Sequence, residues 1–223
     1  MEKEKLINMT KENVETLLDK KFIKVYDLMY APGKHYYDAT RRDLSNLVAL
    51  KSEEEFKNML PDAVTCAVIV KLPNDEPKLL LSYEYRYTTK NFLLSPPAGL
   101  IDPEDADSKE PLLRTAKREI YEETGIKVGE NPEDRIFLMN RLLFSSPGMT
   151  DESNGFVCAV VNLDDLSSLN QEGAVGSECF DGFTLLTKAE AQEILKKGTD
   201  ANDNYFSLAT YTILLYFCTD MWQ

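Results

Sequence analysis

The stretch RTAKREIYEETGI, residues 114–126, carries three glutamates on what its periodicity predicts to be one helical surface. Glu119, Glu122 and Glu123 follow the spacing i, i+3, i+4, which makes side chains neighbours on a helix. Three like charges that close repel one another, and a bound divalent cation would turn the repulsion into attraction. Hard cations such as Mg2+ prefer carboxylate oxygens and often share them with substrate phosphates. The stretch therefore indicates a metal-dependent enzyme acting on phosphates, although the spacing alone also fits a solvated acidic helix face.

Signals on both sides mark the ends of this helix. Pro111 suits a first helical position, and Gly125 suits the position just past the last helical turn. Leu112, Ala116 and Ile120 recur at helical spacing, so we expect them to face a core that the carboxylates flank.

The charge of the chain excludes several classes of partner. With 223 residues and a net charge of −13, the chain lacks the basic surface that binds nucleic acid, and an anionic membrane would repel it. No apolar run is long enough to span a bilayer, and the first residues do not resemble a signal peptide. We expect a cytoplasmic protein that binds an anionic small molecule through metal ions or a few arginines and lysines.

The cysteines and the single histidine carry no metal-site pattern. Cys66, Cys158, Cys179 and Cys218 lie far apart without a CxxC pair, so we expect no zinc site. Cys66 and Cys158 lie in apolar runs and are expected to be buried free thiols. His35 follows a Pro-Gly turn and is expected to be an exposed loop residue.

Residues 1–58 predict a small N-terminal β-module. Its segment 1–20 fits a short helix or a frayed terminus, whereas 21–42 is rich in β-branched and aromatic residues and predicts a hairpin. Ser52, with Glu55 three residues on, has the capping-box pattern of a helix start.

Residues 59–223 predict a second, mixed α+β domain. The predicted strands are 63–71, 78–86, 92–94, 136–144 and 155–163, and the predicted helices other than the one beginning near Pro111 are 188–197 and 204–219. The acidic segment 100–110 predicts a loop. Strands and helices do not alternate regularly, so we expect a mixed sheet flanked by helices.

The run from Gly99 to Ile126 resembles the signature of the Nudix hydrolases. In that signature a Gly, five residues, a Glu and seven residues precede Arg-Glu-apolar-x-Glu-Glu-x-Gly-apolar, and every specified position from Glu110 onward matches. Ten residues separate Gly99 from Glu110, which we interpret as a loop insertion at 103–108 that leaves the role of Glu110 open. The resemblance implies an α/β/α sandwich with a mixed β-sheet.

Two further stretches are similar to the ADP-ribose pyrophosphatase branch of that family. PAGLID, residues 97–102, looks like its lead-in, and SPGMTDE, residues 146–152, resembles its catalytic loop, although Pro147 comes late. An N-terminal β-module that builds a homodimer is also typical of the branch. The resemblance implies hydrolysis of ADP-ribose to AMP and ribose 5-phosphate, with Mg2+ or Mn2+ as cofactor.

The resemblance also implies a metal site. It assigns the ligands to Glu119, Glu122, Glu123 and the Ala98 carbonyl, with Arg118 orienting them. Arg118 and Glu122, four residues apart, also fit an ordinary surface ion pair, which is worth little.

A general base is implied in the loop that follows this helix. Glu152 is the first choice and Asp151 the reserve, with Glu123 able to share the role. Both loop acids also fit a simple solubilising role.

Substrate contacts are implied for three arginines. Arg86 resembles a residue that contacts phosphates, as a planar guanidinium can, and Arg41 and Arg42 resemble residues that reach the partner's site in a homodimer. Ordinary ion pairs are the alternative for all three, and are favoured for Arg41 and Arg42. Four tyrosines, Tyr26, Tyr30, Tyr36 and Tyr37, include a candidate for stacking on a base but fit packing or a dimer interface better.

Three other functions remain open. The substrate could be another nucleotide sugar, a dinucleotide polyphosphate or an oxidised nucleoside triphosphate. A catalytically silent Nudix domain that binds a nucleotide to regulate a partner is a second option, although such a domain is expected to lose box carboxylates. A purely structural acidic protein is the weakest.

Overall fold

The computed structural model describes residues 8–173 and 178–223, whose contacts divide the chain into two compact units. The first unit contains the residues up to Pro61 together with Phe144–Ser153, and the second contains Asp62–Leu143 and Asn154–Gln223. The division after Pro61 lies close to the boundary expected after residue 58. The sequence did not indicate that Phe144–Ser153 would group with the N-terminal residues.

The first unit is built on a three-stranded antiparallel sheet of β1 (Val14–Asp19), β2 (Lys24–Ala31) and β3 (Lys34–Thr40), in that order. β2 and β3 form the predicted hairpin. The expectation of a helix or frayed terminus over 1–20 is wrong for Val14–Asp19, because this segment pairs with β2 along its length. Pairing stabilises the segment, whereas an isolated helix this short is marginal in water. Residues 1–7 of that expectation lie outside the described residues.

Short helical segments complete the first unit. α1 (Glu53–Asn58) begins with the predicted capping box, in which the Glu55 N–H donates to Ser52 Oγ at 3.2 Å and the Ser52 N–H donates to Glu55 Oε2 at 2.8 Å. Single 3-10 turns lie at Lys11–Asn13, Leu44–Asn46 and Val48–Leu50. The small core of this unit contains Tyr26, Leu28 and Leu47.

The single histidine differs in part from its expectation. His35 is exposed, as predicted, but it lies on β3 rather than in a loop. Its Nδ1 lies 2.7 Å from Asp27 Oδ2 on β2. Strand pairing across the hairpin explains the difference, since it draws the residue after the turn into the sheet.

The second unit contains a seven-stranded mixed sheet. Its strands are β4 (Ala63–Lys71), β5 (Lys78–Arg86), β6 (Asn91–Ser95), β7 (Ala98–Leu100), β8 (Arg135–Phe144), β9 (Ser153–Asn162) and β10 (Phe180–Leu186). The order is β10-β5-β4-β9-β8, with β6 paired to β5 and β7 paired to β4. β4 runs parallel to β9 and antiparallel to β5 and β7.

Helices cover both faces of this sheet, which confirms the predicted α/β/α sandwich. The helices are α2 (Pro103–Ala106), α3 (Pro111–Thr124), α4 (Lys188–Lys197) and α5 (Leu208–Cys218). Leu112 of α3 packs so closely on Gly155 of β9 that a Cβ at residue 155 would lie 2.2 Å from its Cδ2. On the opposite face, α4, α5 and Trp222 pack against strand residues that include Ile69 and Leu81.

Most local predictions in this unit are confirmed. The acidic segment 100–110 contains the one-turn helix α2, neither β7 nor β10 was predicted, and the last helix begins at Leu208 rather than at residue 204. Cys66 and Cys158 are buried free thiols, as expected. Across the part of the chain that the structure describes, no helix combines the length and apolar character needed to cross a membrane.

Candidate active site

α3 places two of its three glutamates at the margin of the core. Burial of its apolar stripe, which includes Ile120, fixes the rotation of the helix. Glu119 and Glu123 flank that stripe and are only 7% and 6% exposed, whereas Glu122 keeps 40% of its side chain exposed. Gly125, with a φ of 76°, ends the helix as predicted.

The short strand β7 lies directly against both buried carboxylates. A Cβ at Gly99 would lie 2.0 Å from Glu119 Cδ, so Glu119 packs on the bare glycine backbone. The Ala98 N–H donates a hydrogen bond to Glu123 Oε1 at 3.2 Å. The structure therefore brings Ala98 to the carboxylates through its N–H, and the metal contact of its carbonyl stays a prediction.

Burial perturbs the protonation of both glutamates. It raises the pKa of Glu119 to about 7, although the positive charge of Arg118 opposes the shift. It raises the pKa of Glu123 to about 9, against the hydrogen bond from Ala98. Perturbed carboxyl groups of this kind are enriched at functional sites.

Two acids that the sequence analysis missed add to the same negative field. Glu84 lies on β5, and Glu178 precedes β10, whose Phe180 pairs with Glu84 in the sheet. Burial is the main cause of the raised pKa of Glu84, Glu119 and Glu123. The negative charge of Glu178 raises all three pKa values further. No local pattern marks these two acids, because Glu84 belongs to a different strand of the sheet and only the pairing of β10 with β5 brings Glu178 beside it.

Arg118 connects α3 to β7 and α2 through hydrogen bonds. Its Nη1 donates to Glu119 Oε1 at 2.7 Å and to Glu122 Oε2 at 3.0 Å. Its Nη2 donates to the Leu100 carbonyl at 2.9 Å, and its Nε donates to Asp105 Oδ2 at 3.0 Å. A planar guanidinium engaged on several sides has little rotational freedom. The arrangement is therefore more constrained than a solvent-exposed i, i+4 ion pair, which supports the predicted orienting role.

The chemistry of this donor set suits a hard divalent cation, because carboxylate oxygens are the ligands such ions prefer. The carboxylates of Glu119 and Glu123 are also withdrawn from water, so a nearby positive charge would stabilise their ionised forms strongly. Within the described ranges, however, no three His, Cys, Asp or Glu side chains converge closely enough to hold an ion. Arg118 contacts Glu119 Oε1 and Glu122 Oε2 in this structure, so an ion would be held through the other oxygen of each of these carboxylates.

Arg86 lies at the end of β5 beside this negative field. Its Nη2 lies 2.5 Å from Glu84 Oε2, and 48% of its side chain is exposed. The strand-end ion pair considered as the alternative is therefore present, and the exposed half leaves room for a phosphate. The predicted phosphate contact stays a prediction.

In the first unit, Asp151 anchors the segment 144–153. Its carboxylate accepts hydrogen bonds from Thr40 Oγ1 at 2.6 Å and from the Val48 N–H at 3.1 Å, and it lies 3.5 Å from Arg42 Nε. A carboxylate with this many partners is poorly placed to take a proton from water. These contacts favour Glu152 over Asp151 as the base.

Of the other candidate residues in this unit, Glu152 and Arg41 are partly exposed and Arg42 is buried. Glu152 keeps 38% of its side chain exposed and lies 3.5 Å from Arg41 Nε, which is itself half exposed. Arg42 is only 8% exposed, and its Nη2 donates to Ser153 Oγ at 3.4 Å. Burial of Arg42 favours the ion-pair alternative for this residue, and the substrate contacts of both arginines stay predictions.

The four tyrosines that are candidates for stacking on a base differ in exposure. Tyr26 is buried in the core of the first unit, which favours packing. Tyr30, Tyr36 and Tyr37 are exposed, and the Tyr36 hydroxyl donates to the Pro147 carbonyl at 3.3 Å.

Comparison with known proteins adds evidence on the fold. No protein-family profile matches this chain, and no curated protein does. A solved structure described as an ADP compounds hydrolase matches with a TM-score of 0.54 and 20% identity, over 97% of this chain and 97% of that chain. At this identity the likeness shows a shared fold, in agreement with the α+β sandwich predicted from the sequence.

Proposed function

We propose that this chain is a Mg2+-dependent hydrolase of the Nudix type that cleaves the pyrophosphate bond of ADP-ribose or a related nucleoside diphosphate sugar. Water added to ADP-ribose gives AMP and ribose 5-phosphate. The order of residues from Gly99 to Gly125 supports this choice, and so does the fold shared with an ADP compounds hydrolase.

The observation that carries the proposal is the burial of Glu119 and Glu123 against the backbone of Ala98 and Gly99. Withdrawing carboxylates from water costs free energy unless positive charge or protonation compensates. A purely structural role would be served better by apolar or amide side chains at these two positions. A cation site explains why acids stand there.

The proposed site assigns a role to six residues. Glu119, Glu122, Glu123 and the Ala98 carbonyl would hold Mg2+, or Mn2+ in its place, and Arg118 would keep Glu119 and Glu122 oriented. When bound, the ion neutralises phosphate charge and lowers the pKa of water. Arg86 would contact a phosphate through its exposed guanidinium.

We assign the general base to Glu152, because its carboxylate is partly exposed and Asp151 is engaged by three partners. The base must reach the attacking water directly or through one further water. Glu178 is the second candidate, since its charge acts on both Glu119 and Glu123.

A homodimer is part of the proposal. Several large apolar side chains of the first unit are exposed, among them Leu17, Phe22, Tyr30 and Tyr37. All four lie on the three-stranded sheet or in the turn between β1 and β2, which supports an interaction surface there, and a second copy of the chain is the partner that the resemblance implies.

Release of AMP from ADP-ribose, measured with and without Mg2+, tests the function. Nucleotide sugars, dinucleotide polyphosphates and oxidised nucleoside triphosphates are assayed beside it. Selective, Mg2+-dependent release of AMP is the expected result. Turnover of another compound would keep the mechanism and change the substrate, whereas nucleotide binding without turnover of any compound would favour a regulatory domain.

A further inference from the structure

The segment inserted between Gly99 and the glutamates of α3 is not a passive loop. It forms α2, a single turn with one buried residue, Asp105. The Asp105 side chain is only 5% exposed. A buried carboxylate needs compensating charge and hydrogen bonds, and Asp105 finds both on α3.

Asp105 contacts two arginines that are one helical turn apart. Its Oδ1 lies 2.9 Å from Arg114 Nε, and its Oδ2 lies 3.0 Å from Arg118 Nε. Each carboxylate oxygen therefore has its own guanidinium. Arg114 neutralises the buried charge from the more exposed side, and Arg118 connects it to the candidate site.

The contact with Asp105 fixes how Arg118 faces the glutamates. Asp105 accepts the Nε–H, and the Leu100 carbonyl accepts an N–H of Nη2, which also lies 3.4 Å from Asp102 Oδ2. Because the guanidinium is planar and rigid, these contacts determine where Nη1 points. Nη1 donates to Glu119 and Glu122, the two predicted ligands that Arg118 holds.

The sequence spacing agrees with this role. Five residues separate Gly99 from Asp105, which is the spacing between the glycine and the first acid of the signature. Glu110 has the signature's spacing to Arg118, but it is exposed and precedes α3 without a side-chain capping bond. The extra residues therefore lie after Asp105 rather than at 103–108.

We propose that Asp105 is a positioning residue, which holds the Arg118 guanidinium so that Arg118 presents Glu119 and Glu122 to a divalent cation. This role rests on the proposed function, because it concerns the same metal site. Asp105 itself contacts neither the cation nor the substrate.

The test compares wild type, Asp105→Asn and Arg114→Gln in the full-length protein. Asparagine keeps the shape of the side chain but accepts a hydrogen bond from only one arginine. The Arg118 Nε–H signal in NMR, recorded without metal, is expected to lose its protection from solvent exchange in Asp105→Asn. Mn2+ affinity, measured by electron paramagnetic resonance, is expected to fall about 10–100-fold, as when other partners of metal ligands are lost.

Arg114→Gln is the matched control, since it removes a partner of the same buried carboxylate and leaves the contact with Arg118. It is expected to lower the melting temperature while keeping the protection of Arg118 and the affinity for Mn2+. Asp105→Glu is the second variant if Asp105→Asn does not fold, because it keeps the charge and displaces the carboxylate. It should also weaken Mn2+ binding.

The outcomes separate this role from the proposed function. Unchanged Arg118 protection or unchanged Mn2+ affinity in whichever Asp105 variant folds, with binding intact in wild type, would overturn the role of Asp105 alone. Equal losses in Arg114→Gln would also overturn it, because they would reduce the effect to general stability. Absence of Mn2+ binding by wild type would overturn the proposed function and this role together.

Discussion

The carboxylate of Glu119 occupies the space that a side chain on Gly99 would need. A Cβ at residue 99 would lie 2.0 Å from Glu119 Oε1 and 2.3 Å from Oε2. The glycine therefore allows a buried acid to lie directly on the backbone of β7. Because the clashing atoms are at the end of a flexible side chain, a larger residue at this position would displace Glu119 before it disturbs the sheet.

Gly99→Ala is accordingly expected to weaken Mn2+ binding about tenfold or more, as when the surroundings of a metal ligand are altered. The melting temperature without metal should change little, since Glu119 can rotate away. Calorimetry and Mn2+ titration check the two expectations.

Gly155→Ala provides the contrasting control, because its Cβ would meet the buried side chain of Leu112 at 2.2 Å. This variant should lower the melting temperature and leave the Mn2+ affinity close to that of wild type. Unchanged Mn2+ binding in Gly99→Ala would contradict the assignment of Glu119 as a ligand.

Glu123→Gln is expected to abolish turnover and leave the fold intact. Glutamine keeps an oxygen to accept the hydrogen bond from Ala98. Burial raises the pKa of Glu123 to about 9, so the metal-free side chain is already neutral at neutral pH. Melting temperatures without metal should therefore agree, whereas Mg2+ should raise only that of wild type, because only wild type binds it.

Glu130→Gln is the control for this substitution, since Glu130 is an exposed acid that follows α3 and pairs with Lys127. It should keep both turnover and the stabilisation by Mg2+. Near-normal turnover in Glu123→Gln would contradict the assignment of Glu123 as a metal ligand.

The assignment of the base predicts different effects for adjacent acids. Glu152→Gln should lower kcat about 10²–10⁴-fold, the usual contribution of a general base, with an unchanged melting temperature. Asp151→Asn should instead lower the melting temperature, because it weakens the contacts with Thr40, Val48 and Arg42.

Glu178→Gln decides between the two candidate bases. Turnover is measured as a function of pH for Glu152→Gln and Glu178→Gln side by side. Loss of the acidic limb of the profile in Glu178→Gln, with normal activity in Glu152→Gln, would transfer the role to Glu178.

The stability of the protein should depend on pH through Asp38. Burial, and then the charge of Asp151, raises the pKa of Asp38 from 3.8 to about 6, although its Oδ1 accepts a hydrogen bond from the Asp151 N–H at 3.0 Å. The folded state therefore holds this proton more tightly than the unfolded state does. The stability that it contributes is fully present below pH 3.8 and is lost as the pH rises through 6.

Asp38→Asn removes the buried charge and keeps an oxygen for that hydrogen bond. The variant should be more stable than wild type at pH 8, by about 1–3 kcal/mol for a shift of this size. The difference should shrink as the pH falls through 6 towards 4. Denaturant unfolding at several pH values checks this, with the exposed acid variant Glu53→Gln as control. A difference that does not vary with pH would contradict the prediction.

The proposed homodimer predicts a concentration-independent mass of two chains in light scattering. Phe22 is 70% exposed in the first unit, and Phe22→Asp should favour the single chain because it places a charge among exposed apolar side chains. Tyr205→Asp, at an aromatic residue of the second unit that is 80% exposed, should leave the mass unchanged. A wild-type protein with the mass of one chain would contradict the dimer.

Local patterns in the sequence predicted the helix that carries the three glutamates and the two long strands β4 and β5. The bounds of β4 and β5, the start of α3 at Pro111 and its end at Gly125 all follow from apolar runs and capping residues. These signals act over a few residues, so they can be recognised without knowledge of the fold. The approximate position of Glu119 and Glu123 on the helix follows from the same periodicity.

Only the tertiary structure decided what surrounds those carboxylates. Pairing of β10 with β5 brings Glu178 beside Glu84, packing of α2 on α3 directs Asp105 to Arg118, and the contacts of Asp151 distinguish it from Glu152. Val14–Asp19 likewise became a strand because β2 was available to pair with it. The sequence by itself determined which acids stand on one helix, since helical period and capping are local. Long-range pairing and burial determined their partners and their protonation, because both depend on residues that are distant in the chain.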